Sequence, residues 1–128
     1  MKSVKLEVER IFLSIDVAVP CGLILNELIS NSLKHAFPAG AEGEITITVR
    51  TAGNGVIELR YRDNGVGLPA NFDQACGRTL GLKLVTSLSK QLNGSMEIRS
   101  EGGALFILRF PNRANSSEDE SGRDGSAP

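Results

Sequence analysis

Apolar residues alternate with polar ones at Val4, Leu6 and Val8, and Ile11, Phe12, Leu13 and Ile15 continue as a short apolar run. A two-residue period marks a half-buried strand, so the first 15 residues read as one or two strands. From Cys21 to Phe37 the period lengthens: Leu25, Leu28, Ile29, Leu33 and Ala36 recur at helical spacing, with Pro20 where a helix can begin and Pro38 where it stops. Glu44 to Arg50 alternates again through Ile45, Ile47 and Val49. Thr51-Ala52-Gly53-Asn54-Gly55 is turn-forming, and Val56 to Arg62 returns as a second strand, so this pair reads as a hairpin. Leu80 to Asn93 is a second amphipathic helix through Leu84, Val85, Leu88 and Leu92, with Gly94 placed as its left-handed terminator. Met96 to Arg99 and Leu105 to Phe110 flank Gly102-Gly103 as a last hairpin. The irregular mixture of helices and hairpins predicts an α+β fold, a two-layer sandwich in which helices cover one face of a mixed, mostly antiparallel sheet.

Composition narrows this to one domain with a tail. Asn112 to Pro128 lacks any large apolar residue, cannot repay its ordering entropy and is expected to be a disordered acidic tail, leaving residues 1–111 as the folded domain. Removing the tail's arginines and acids leaves that domain close to neutral, and the whole chain carries a net charge of -1. A surface that coats nucleic acid is therefore not expected, and a content of 5% aromatic residues without Trp argues against a base-stacking platform. Cys21 and Cys76 make no disulfide framework or metal-ligand spacing, so reduced thiols are expected. The charged N-terminus is neither a signal peptide nor a span, so a cytoplasmic chain with no direct membrane insertion is expected.

Three segments carry candidate chemistry. On a helical wheel Leu25, Ile29, Ser32 and Ala36 share one arc, while Glu27, Asn31 and Lys34 share the opposite one with His35 at its edge. That second arc is either a ligand-facing set or an ordinary solvated face. Asp63-Asn64-Gly65-Val66-Gly67-Leu68-Pro69 leaves a strand through two glycines one residue apart, which permits close approach of backbone to a ligand. An ionised Asp at a strand end is a pure acceptor, suited to the exocyclic amine of adenine and not to O6 of guanine; the same letters also spell a common turn. Gly77-Arg78-Thr79-Leu80-Gly81-Leu82-Lys83 runs into the second helix, where the amides of Gly81, Leu82 and Lys83 could hold a triphosphate or simply begin a helix.

The order of the three segments is more specific than any one of them. Asn26-Glu27-Leu28-Ile29-Ser30-Asn31-Ser32-Leu33-Lys34-His35-Ala36-Phe37 resembles the N-box of sensor histidine kinases, Asp63 to Gly67 their G1 box, and Thr79 to Val85 their G2 box. The resemblance spans about Val4 to Pro111 and extends more broadly to the ATPases of gyrase, Hsp90-type chaperones and mismatch repair, which share the Bergerat ATP-binding fold. It implies that Asn31 ligates Mg2+ through its side-chain oxygen and that Glu27 orients or deprotonates the nucleophile. It implies further that Lys34 meets the phosphates, that Asp63 reads adenine, and that His35, Gly65, Gly67, Leu68, Thr79, Gly81, Leu82 and Lys83 line the nucleotide. Arg78 and Thr79 fall in the segment that forms a lid in this family, with Arg78 placed to stabilise charge during transfer.

Two departures and one absence refine the expectation. The family usually carries Thr after the late glycine of the final hairpin, its hydroxyl supporting the adenine-binding Asp, whereas this chain reads Gly103-Ala104-Leu105. One subfamily with a His after the N-box Lys also has a Trp-x-Glu motif, and this chain has no Trp. The single His, His35, lies inside the nucleotide-binding helix, so the phosphoacceptor His is missing. The resemblance therefore implies an ATP-binding catalytic domain that cannot autophosphorylate alone and donates the γ-phosphoryl group of Mg-ATP to a His on a separate dimerisation domain, upstream of a response regulator. The alternative is an anti-sigma-factor-type serine kinase of the same superfold; a non-catalytic nucleotide sensor would have lost Glu27, Asn31 or Lys34.

Overall fold

The computed structural model describes residues 2–37, 42–67 and 80–112. The elements run β1 (Lys2–Val8), α1 (Ile15–Asn31) widening into a π-helical turn (Ser32–Ala36), β2 (Gly43–Thr51), β3 (Val56–Asp63), α2 (Leu80–Gln91), β4 (Ser95–Ser100) and β5 (Ala104–Pro111). The five strands form one sheet in the order β1-β2-β3-β5-β4, with β1 parallel to β2 and every other neighbour antiparallel. The α+β sandwich with a mixed, mostly antiparallel sheet is what the periodicities predicted.

Strand alternation divides the sheet into two unlike faces. Ile45, Ile47, Ile57, Leu59, Tyr61, Phe106, Leu108 and Phe110 point toward the helices and are buried. Val17, Ile24 and Leu28 of α1 and Val85, Leu88 and Leu92 close the same core from above, and the two helices pack on each other. The core stripe of α1 runs Val17, Cys21, Ile24, Leu28, Ser32 and Ala36, while Leu25 and Ile29 are only partly buried on its flank. The wheel centred on Leu25 and Ile29 was thus rotated. Burial pushes the Cys21 thiol up to about 11, so it behaves as a small apolar residue; Cys76 lies outside the described residues.

Helix α1 also begins earlier than Pro20 suggested. Ser14 has extended backbone angles and its carbonyl accepts from the N–H groups of Val17 and Ala18, so the turn starts at Ile15. Pro20 sits inside the helix and leaves one carbonyl without its helical donor. The apolar run before it is not a second strand: Ile11 and Leu13 pack against the core from the connection and Phe12 is exposed. At the end of α2 the left-handed residue is Asn93 (φ 57), not Gly94. Asn93 N–H donates to Lys90 and Gly94 N–H to Ser89, a Schellman closure, and Gly94 is small because a Cβ there would lie 2.8 Å from the Arg109 carbonyl oxygen. Asn112, assigned to the tail, belongs to the fold: it is buried and its N–H donates to Gly55. The remainder of the predicted tail lies outside the described residues.

The other sheet face is built around Glu58, which is 3% exposed. Its Oε1 accepts from Arg50 and Arg60 (Nε–O 3.0 Å each) and its Oε2 from Arg109 (3.0 Å). Leu105 and Ile107 on this face are buried beside the long stems of Arg62 and Arg99 and of Arg60 and Glu97, their neighbours in register. Burial pushes the Glu58 carboxyl up, but the three guanidinium donors outweigh it, and the group titrates below the usual carboxylate range. A lowered folded value stabilises the fold above the unfolded glutamate pKa of about 4.3 and ceases to do so as pH falls through the folded value. Glu58→Gln should therefore cost about 1–2 kcal/mol at pH 7, since the arginines are half-exposed and rehydrate. Urea unfolding at pH 7 and below pH 4 should show the difference from wild type shrinking with acid.

Candidate nucleotide site

β3 ends at Asp63, whose side chain shares the helix-facing side with Tyr61 and is 2% exposed. A carboxylate buried so deeply needs donors, and three separate elements supply them. Its Oδ1 accepts from the backbone N–H of Gly65 (3.1 Å) and of Ala104 (3.0 Å), and its Oδ2 accepts from the hydroxyl of Ser32 (2.7 Å). A carboxylate has about four lone-pair positions, so among the described residues these bonds leave one on Oδ2. Behind Ser32, the Tyr61 hydroxyl lies 2.6 Å from Ser32 Oγ and donates to the Leu28 carbonyl at 3.0 Å. Burial raises the Tyr61 phenol to about 12, with the Ser32 hydrogen bond opposing and the Asp63 charge adding to the rise, so it stays a donor.

With Ala at position 104, the hydroxyl that donates to Asp63 is that of Ser32. Sequence reasoning placed Ser32 on a packing arc and missed its chemistry; a hydroxyl among apolar neighbours at a core position of α1 was the available signal. Tyr61, read only as a strand residue, is the second miss.

Backbone contacts tie the loop after β3 to the end of α1. The Val66 N–H donates to the Ala36 carbonyl at 2.8 Å, and a Cβ on Gly65 would lie 2.6 Å from the Ala36 Cβ, so only glycine permits this approach. The final hairpin closes on the same point: Gly103 (φ 131) presses against the Asp63 carbonyl, so this glycine serves the site as well as its turn.

Glu27 and Asn31 follow one turn apart on α1, both half-buried. The Glu27 Oε2 lies 2.5 Å from where a Cβ on Gly81 would stand, which brings this carboxylate to the first turn of α2, formed by Gly81, buried Leu82 and exposed Lys83. Lys34 and His35 are exposed on the π-helical turn. The structure therefore brings Glu27 to Gly81, and Ser32 and the Gly65 amide to Asp63, with Asn31 next to Ser32 in the chain. Leu68, Arg78 and Thr79 lie outside the described residues. Among the described residues no three His, Cys, Asp or Glu side chains cluster as a metal cage, and no helix is long and apolar enough to cross a membrane.

The described fold is a two-layer sandwich that carries an acceptor carboxylate at a strand end beside a polar helix and a glycine-bearing helix start. Residues 16–114 match the family described as histidine kinase-, DNA gyrase B- and HSP90-like ATPase, and the chain belongs to that family. It is 36% identical over 100 residues to the sensor histidine kinase PdtaS of Mycobacterium tuberculosis, covering 75% of this chain and 20% of that protein. It is 32% identical to the sensor histidine kinase ZraS of Klebsiella oxytoca, covering 68% of this chain and 22% of that one. The chain thus spans about a fifth of the length of these curated relatives. In structure it is similar to the histidine kinase domain of the Erythrobacter litoralis EL346 blue-light activated kinase, with a TM-score of 0.81 at 20% identity over 91% of this chain and 54% of that one. It is also similar to full-length ShkA solved in complex with AMPPNP, with a TM-score of 0.65 at 22% identity over 86% of this chain and 25% of that one.

The Asp63–Gly103 contact makes a contrast measurable. Gly53 and Gly103 both have positive φ, but a Cβ on Gly53 meets nothing within 4 Å. Gly53→Ala should cost about 1 kcal/mol of backbone strain, and Gly103→Ala about 2–3 kcal/mol because the β3 end must also move. Paired urea unfolding curves check the difference.

Proposed function

We propose that residues 1–112 bind Mg-ATP and act as the catalytic domain of a two-component histidine kinase. The observation that carries this reading is the remaining lone pair on the buried Asp63 Oδ2, an acceptor that suits the exocyclic amine of adenine and repels the O6 of guanine. Gly65 and Gly67 give backbone room beside the base. The backbone amides of Gly81, Leu82 and Lys83 in the first turn of α2 would hold the triphosphate. Lys34 and His35 are exposed at the end of α1, and we assign them to the phosphates and the nucleotide. The match to a family of ATPases supports the binding of a nucleotide.

The donor set fits a hard divalent cation. Asn31 offers an amide oxygen and Glu27 a carboxylate one turn away, and Mg2+ bound with nucleotide takes few protein ligands. Asn31 would hold the ion, which supplies charge neutralisation between phosphates when bound. Glu27 would orient or accept the proton of the attacking group, and Lys34 and Arg78 would steady the charge of the phosphoryl group in flight.

The acceptor is a His on a separate dimerisation domain, and the phosphoryl group then passes to a response regulator. The curated relatives are sensor histidine kinases, which favours this acceptor over the serine of an anti-sigma antagonist. His35 sits on the nucleotide helix, so the chain alone does not autophosphorylate.

Calorimetry should give Mg2+-dependent binding of ATP at least tenfold tighter than GTP; equal affinities would remove the role of Asp63. Asn31→Ala should abolish the Mg2+ dependence, and a metal-dependent mutant would contradict the assignment. Incubation with labelled ATP and a histidine-kinase dimerisation hairpin should leave acid-labile label on the hairpin, whereas acid-stable label on an anti-sigma antagonist would reverse the choice of acceptor.

A further inference from the structure

The geometry points to Ser32 as the residue that sets selectivity for the adenine amine. This inference rests on the reading of Asp63 as the adenine acceptor and asks what holds that acceptor in position. Oδ1 of Asp63 is fixed by two backbone N–H groups, of Gly65 and Ala104, so no side chain supplies its donors. Oδ2 is the oxygen with a lone pair left for a ligand, and its donor is a side chain, the Ser32 hydroxyl. Position 104 offers an N–H and, being Ala, no hydroxyl.

Ser32 is itself held from two sides. It is 4% exposed, so its hydroxyl cannot turn to water, and its Oγ lies 2.6 Å from the Tyr61 hydroxyl, which is anchored on the Leu28 carbonyl. A serine hydroxyl has one proton. With that proton spent on Oδ2, the carboxylate plane is held from both oxygens, and the second lone pair of Oδ2 would be presented to the amine of the base. Ser32 is also the first residue of the π-helical turn and the chain neighbour of Asn31, so one segment of α1 orients the base end and the phosphate end of the site. Ser32 is a positioning residue: it acts through Asp63 and needs no contact with nucleotide.

The test compares ATP with purine riboside triphosphate, which lacks only the exocyclic amine. Dissociation constants are measured by calorimetry for the full chain and for Ser32→Ala, Ser32→Thr and Tyr61→Phe. The wild type should prefer ATP. Ser32→Ala should lower that preference about tenfold while its affinity for the amine-free nucleotide, which also reports an intact fold, stays within twofold. Ser32→Thr keeps the hydroxyl and should restore the preference, and Tyr61→Phe should lower it by less than Ser32→Ala. An unchanged preference in Ser32→Ala overturns the inference and leaves the reading of Asp63 standing. An equal loss for both nucleotides in Ser32→Ala overturns it too, because it marks a merely structural role. A wild type with no preference for ATP removes the adenine reading of Asp63 and this inference together.

Discussion

A carboxylate taken out of water at the end of β3 is the constraint on which the site depends. Asp63 is almost fully buried, and an ionised group there is tolerable only if hydrogen-bond donors converge on it. They come from the last turn of α1, the loop after β3 and the start of β5. Each donor fixes a neighbour: Ser32 sets the depth of α1 over β3, the Gly65 amide bends the loop back toward Ala36, and the Ala104 amide requires Gly103 to pass against the β3 backbone. The glycines are therefore consequences of the buried charge. They let main chain come close enough to donate where a side chain would stand in the way.

The strands were legible because each of β2, β3 and β5 turns one alternating face to the helices, and a two-residue period survives whatever the tertiary context. Helix limits were less legible, for physical reasons that differ at each end. Pro20 looks like a start because proline favours the first turn, yet the packing of Val17 against the core outweighs one missing hydrogen bond and extends α1 back to Ile15. Gly94 looks like the left-handed terminator, but Asn tolerates that conformation at Asn93, and the glycine is needed one residue later for contact with β5.

The candidate site was legible in the residue types and spacing of its motifs and illegible in its support. Asp63, Gly65 and Glu27 carry their chemistry in their residue type and spacing, and the fold brings Asp63 to Gly65 and Glu27 to Gly81. Ser32 does not declare itself that way. A small polar residue on a buried helical arc reads as packing until the opposite strand is known, and the strand residue that makes it functional is 31 positions away in the chain. Tyr61 is hidden for the same reason: its ring fills the core while its hydroxyl serves the polar chain behind Asp63.

Strand β3 carries two buried acids, and their contrast separates structure from function. Glu58 and Asp63 are an odd number of residues apart, so they face opposite sides of the sheet, and both are 3% exposed or less. Three guanidinium groups neutralise Glu58, which leaves nothing for a ligand to answer and makes it a tie across β2, β3 and β5. The donors to Asp63 are two amides and a hydroxyl, all neutral, and among the described residues no cation pairs with it. Neutral donors orient a carboxylate without cancelling its charge. Among the described residues Asp63 is thus oriented without a counter-ion, and that is how the two buried acids of β3 differ.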